Sequence, residues 1–278
     1  METRVVKTKC CLIVLLCAVS FAQAGEPARE FLDQLVETQL YDVALDYLEQ
    51  LQDSPLAPVR IKEIIPYEQG RILIKLSGLQ RDFDMRERQL NRAQQSLQQF
   101  INTRKGNPKV AAAESELGTL LEQRGTLQVL RAERPGNAQQ KQQLLASARE
   151  RFGEARGVFE KIQGQLRLKL KNYPAVIPTG TPEHQLREET RLQYLQTLLV
   201  AAVIQEEMAD TYEEKAPERT KLLSEASSEY DSIYKNYRRF VAGLYARLYQ
   251  GRVQKKLGKF PDAISYLVEI LENEDNSD

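Results

Sequence analysis

One recurring spacing restricts this chain more than anything else in it. An alanine is followed by large apolar residues four and seven positions later. It occurs at Ala44-Leu48-Leu51, Ala93-Leu97-Phe100, Ala155-Phe159-Ile162, Ala226-Tyr230-Ile233 and Ala263-Leu267-Ile270. Offsets of four and seven put the three side chains on one face of an α-helix. The small alanine lets a neighbouring helix approach, and the bulky residues fill the space beyond it. Such a face has to be covered, so the spacing predicts paired helices with the signature on the second member of each pair.

The rest of the sequence agrees with an all-α reading. Period-2 alternation of β-branched and aromatic residues is missing, while apolar spacings of three and four run throughout. Helices are expected over 27–38, 40–52, 60–80, 82–103, 109–132, 138–171, 183–213, 217–237, 240–257 and 260–273. Proline and glycine punctuate them at "QDSPLAP" (52–58), "RKGNP" (104–108), "ERPGN" (133–137), "NYPAVIPTGTP" (172–182), "EKAPE" (214–218) and "LGKFP" (257–261). Thr181, Pro182 and Glu183 form an N-cap, first helical position and acidic first turn. Short connections favour antiparallel neighbours, hence a succession of helical hairpins. The apolar run "LQYLQTLLVAAVI" (192–204), interrupted by Gln193 and Gln196, reads as a helix buried on several sides.

The last copy, "YQGRVQKKLGKFPDAISYLVEIL", has Gly251 in its first helix, Gly258 at the turn and Ala263 early in the second. These small positions resemble those of the tetratricopeptide repeat (TPR) family. Tyr41, Ala44, Leu48 and Leu51 resemble the second half of such a repeat. The resemblance covers 27–55 and 240–273. The hairpins at 59–237 are elongated, the chain has no tryptophan, and the signature alanines depart from the family's period of about 34 residues. It implies a TPR-like α-solenoid over 25–273 whose work is binding a peptide or protein. In that family the first helix of each repeat lines the partner groove. Carried onto the last unit, the partner-binding positions would be Tyr245, Leu248, Arg252, Lys255 and Lys256, a tyrosine-and-cation surface suited to an acidic peptide. A solvated basic face with tyrosines packed between hairpins explains the same residues.

Residues 1–24 read as a secretory signal peptide: Arg4, Lys7 and Lys9, an apolar run from Cys10 to Phe21, then Ala22-Gln23-Ala24. Leu16 before Cys17 argues against lipidation. The expectation is therefore an exported protein, periplasmic or extracellular, with no stable membrane insertion after cleavage. All three cysteines (Cys10, Cys11, Cys17) lie in that leader, which leaves no disulfide for the remainder. A formal net charge of zero gives no general attraction to nucleic acid. Residues 274–278 form a polar tail directly after the second helix of the last unit. A polar closing helix is missing there, which points to a longer array or to self-association.

Chemistry has few carriers. His184 is the one histidine, placed at a helix start, and neither a P-loop, a G-x-G-x-x-G nor a G-x-S-x-G is present. No cofactor or metal is expected. The carboxylate pairs Glu206-Glu207 and Glu213-Glu214 are expected on solvated helical surface. The expected function is an exported, non-enzymatic protein–protein interaction scaffold or adaptor. The alternatives are an envelope enzyme or carbohydrate-active protein on a helical scaffold, and a self-associating structural module.

Overall fold

A computed structural model describes residues 28–134 and 140–274. The leader at 1–24, most of the "ERPGN" turn and nearly all of the polar tail lie outside them. Within the described residues all regular structure is helical, in eleven helices: α1 (Ala28–Glu37), α2 (Tyr41–Asp53), α3 (Val59–Lys62), α4 (Ile65–Leu79), α5 (Phe83–Thr103), α6 (Val110–Ala132), α7 (Lys141–Lys171), α8 (Pro182–Ala209), α9 (Pro217–Tyr237), α10 (Val241–Lys256) and α11 (Phe260–Glu274). The chain divides into two compact units that meet at Ile65 and Pro66.

Two expected helices are corrected. The segment 60–80 is interrupted, with α3 ending at Lys62 and α4 starting at Ile65. Pro66 has no N–H to offer the preceding turn, so a helix entering from Val59 cannot run through it. The segment 183–213 stops at Ala209, where Thr211 turns its hydroxyl back onto the Met208 carbonyl at 2.7 Å. The other starts follow local chemistry. Asp82 Oδ1 accepts from the N–H groups of Asp84 and Met85 at 2.9 and 2.7 Å, satisfying two donors at the head of α5. Thr181 Oγ1 accepts from His184 N–H at 3.2 Å, with Pro182 opening α8.

In the smaller unit, α1 and α2 form a hairpin, closed in part by an edge-on contact of Phe31 with Tyr47 at 4.9 Å. Ala44 and Leu48 are fully buried there. In the larger unit the consecutive helices α5 to α11 pack each on the next. Small residues on first helices receive the signature faces of second helices. A Cβ added at Gly70 of α4 would fall 2.5 Å from Leu97, and one added at Gly125 of α6 would fall 2.6 Å from the Phe152 ring. The signature triplets on α5, α7 and α9 are buried throughout. Each large apolar side chain so covered contributes on the order of 1.5–3 kcal/mol. The α11 copy differs: Ala263 is covered, but Leu267 stays 40% exposed.

Both ends share one turn. After α10, Gly258 has φ 74°, its N–H reaches Lys255 O at 3.0 Å, and Lys259 N–H reaches Gln254 O at 2.9 Å. After α1, Gln39 has φ 60°, its N–H reaches Val36 O at 3.2 Å, and Leu40 N–H reaches Leu35 O at 2.9 Å. This is the same Schellman closure, five residues ahead of Ala263 and of Ala44.

Candidate functional site

The five positions singled out on α10 divide into two kinds. Tyr245, Leu248 and Lys255 are exposed. Arg252 and Lys256 reach instead toward α8. Arg252 Nε and Nη2 donate to the two oxygens of Glu206 at 2.8 and 2.7 Å, and Lys256 Nζ lies 2.8 Å from the same carboxylate and 2.5 Å from Asp210. Tyr230 of α9 donates its hydroxyl to Glu206 at 3.1 Å. Three helices thus converge on one carboxylate with a 2% exposed side chain. Burial by itself pushes Glu206 up, but the hydrogen bonds from Arg252 and Lys256 outweigh it and hold the carboxyl below its usual range. Burial beside this anion raises the Tyr230 phenol above its ordinary value. The Arg252 guanidinium also stacks 4.3 Å over the Tyr249 ring.

Two of the four cations on α10 therefore neutralise an internal charge, and the surface is less basic than the sequence suggests. Lys255 lines an open depression of about 500 Å³ together with Arg252, Tyr212, Glu214 and the Arg219–Asp210 pair.

Solvated surface was the expectation for Glu206 and Glu207, and this is corrected. Glu206 sits four residues beyond Ala202, which is fully buried, at the end of the most apolar run after the leader. That spacing carried the signal for its burial. Glu207, half-buried, meets Glu122 of α6 carboxyl to carboxyl. Burial, then repulsion from Glu122 and Glu206, pushes Glu207 up to about 8. Burial raises Glu122 as well, against the pull of a Thr126 hydrogen bond and of Arg86. Glu213 and Glu214 lie past the end of α8 and are exposed, as expected.

The acid pair separates two hollows between α6 and α8. Toward the C-terminal ends of α6 and α8 is a hollow of about 420 Å³ near Val129, Arg149 and Tyr212. Toward the N-terminal half of α6 and the middle of α8 is a larger groove of about 680 Å³. Phe159, Ile162 and Leu166 of α7 form its apolar floor; Ala111, Ala112, Ser115 and Thr119 of α6 make one low wall; Gln193, Gln196 and Val200 of α8 make the other. The apolar run 192–204 explains this second wall. Its Leu195, Ala201, Ala202 and Ile204 are buried, which leaves Gln193 and Gln196 on the open side. Sequence reasoning treated these glutamines as interruptions and missed that the groove uses them.

His184 serves the start of α8 through its backbone N–H. Among the described residues, no group of three His, Cys, Asp or Glu is arranged to hold a metal ion, and no helix is long and apolar enough to cross a membrane. No protein-family model matches the chain, and no curated protein is similar to it.

Proposed function

We propose that this chain is an exported, non-enzymatic protein–protein interaction scaffold, a TPR-like α-solenoid that takes an extended peptide segment of a partner on its helical surface. The observation that carries this reading is the groove over α7. Its apolar floor accepts alternate side chains of an extended peptide, and its glutamine amides each offer a donor and an acceptor to the peptide backbone. The low wall of alanine, serine and threonine leaves room for the chain itself. The shared Schellman turn, five residues ahead of Ala44 and of Ala263, favours the repeat reading. On α10, Tyr245, Leu248 and Lys255 are exposed but do not line this groove, and Arg252 and Lys256 are held by Glu206.

Filling the groove tests this. Ser115→Trp and Thr119→Trp project a large ring over the floor from half-buried positions. A partner recovered from the envelope fraction with the parent chain is expected to be lost with either variant, by at least about tenfold. It is expected to be retained with Gly153→Ala, which alters open surface on α7. Equal recovery with all three variants refutes the groove as the binding site.

A further inference from the structure

The first helices of successive hairpins, α4, α6, α8 and α10, are joined side to side by polar contacts. Between α4 and α6 the Ser77 hydroxyl meets the Gln123 amide at 2.9 Å, and between α8 and α10 Arg252 donates to Glu206 at 2.7 Å. The polar contact between α6 and α8 is of a different kind, because Glu122 and Glu207 are both acids. Glu207 Oε2 is buried, and no donor among the described residues reaches it. An ionised oxygen so placed is costly. A protonated carboxyl is itself a donor, and the Glu122 carboxyl is within its reach. The contact therefore holds while the two acids share a proton.

Every element packed against the pair bears on that proton. From α5, Arg86 favours the ionised form of Glu122, and on α6 the Thr126 hydroxyl lies 3.3 Å from the same carboxyl. On α8, Glu206 opposes a charge on Glu207, while Lys256 and Arg252 of α10, already paired to Glu206, favour it. Helix α7, packed against both, contributes the apolar Ala148, Phe152 and Ala155 to the core, and its Arg149 is stacked on Tyr212. One proton, held by Glu207 and donated to Glu122, fits these surroundings. Its loss sets two like charges against each other.

The pair also sits where a small movement counts. Helices α6 and α8 both pack on α7 and pack little on each other. The width of the groove over α7 therefore depends on what spans them. Glu122 lies three residues beyond Thr119, and Glu207 seven beyond Val200, where the two walls end. The second helices of the same hairpins are fastened independently: Arg156 of α7 donates to Glu229 of α9 at 2.6 Å. Two hairpins held at their second helices and pushed apart at their first open as a hinge.

We propose that the Glu122–Glu207 pair is a proton-operated clamp on the groove over α7. Sharing the proton holds α6 and α8 together; losing it lets the α8–α9 hairpin swing from α6–α7 and the groove widen. The clamp regulates peptide binding only on the reading of that groove given above. The width itself is measured without a ligand, so the two proposals can fail separately.

Double electron–electron resonance measures that width. In the full chain with Cys10, Cys11 and Cys17 changed to serine, nitroxides at Ala111→Cys and Gln196→Cys occupy exposed positions on the two walls. Their separation should grow by about 1–2 Å between about pH 6 and about pH 9.5, with its midpoint near the value of about 8 for Glu207. A second pair, Gly153→Cys on α7 and Ser232→Cys on α9, should keep its separation. Glu207→Gln and Glu122→Gln each replace the shared proton with an amide donor that does not titrate, so both should hold the short distance at every pH. Should one of them fail to fold, the other decides. A parent separation that stays constant, that grows as much in the glutamine variants, or that grows together with the α7–α9 pair overturns the clamp.

Discussion

Glu206 illustrates how one residue can fix three helices. Its carboxylate accepts from Arg252 and Tyr230 and pairs with Lys256, so α8, α9 and α10 share one buried charge. Removing one partner of such a set costs more than the set itself contributes, because the remaining charges stay partly out of water. Glu206→Gln keeps an acceptor for Tyr230 and leaves Lys256 its pair with Asp210, but takes from Arg252 the carboxylate it is paired with. Arg252 is 46% exposed and can partly rehydrate, so the expected loss is about 2 kcal/mol, nearer an unsatisfied hydrogen bond than a fully buried ion. Urea titration measures it; a loss below about 0.5 kcal/mol would mean the network does not tie the helices together. Gln39 offers the opposite case. It occupies the left-handed position that Gly258 occupies at the other end of the chain. Gln39→Gly relieves that backbone cost and should raise stability by about 0.5–1 kcal/mol in the same titration. A decrease would show that the Gln39 side chain has a role beyond the turn.

At the scale of elements, the α6–α7 hairpin shows how much of the packing was legible. Ala155, Phe159 and Ile162 announced a buried face in the sequence, and that face is buried. Their spacing reads directly as a helix face, since the period of a helix is fixed whatever surrounds it. The partner's shape was not legible, because a glycine in a helix has two opposite readings. Gly125 of α6 admits the Phe152 ring, whereas Gly153 of α7 faces open space. Only the position of the neighbouring helix separates them. The same limit hid the site. Arg252 and Lys255 looked alike as cations on one helix, and the neighbour α8 decided that one binds Glu206 while the other faces solvent. The two glycines make an opposed pair of tests. Gly125→Ala places a methyl 2.6 Å from a packed ring, so overpacking should exceed the gain in helix propensity and lower stability by about 1–2 kcal/mol. Gly153→Ala meets nothing and should raise stability by about 0.5–1 kcal/mol. Thermal unfolding of the two variants should move in opposite directions; a common direction would mean that α6 and α7 are not in this close contact.

At the scale of the molecule, the buried carboxyls set how the fold responds to pH, and they pull in two directions. Glu207, pushed up to about 8, and Glu122 and Glu116, also raised by burial, keep protons that the unfolded chain releases above its ordinary carboxyl value near 4.5. Their stabilisation is complete below that value and is lost as pH rises toward 8. Glu206 is lowered, so its contribution is present above 4.5 and disappears as pH falls. The groups facing Glu207 keep these two limbs distinct: Glu122 and Glu206 oppose its ionisation, while Lys256 and Arg252 favour it but are held by Glu206 itself. The fold should therefore be most stable in mildly acidic solution. The urea midpoint should decline from about pH 5 to about pH 8.5. Glu207→Gln cannot ionise, and should flatten that decline without touching the acid limb. Glu206→Gln should do the reverse, removing the loss below pH 4.5 and preserving the alkaline decline. A parent profile that rises between pH 5 and 8, or a Glu207→Gln profile as steep as the parent's, would show that the carboxyl pair between α6 and α8 is solvated in solution and does not hold its proton.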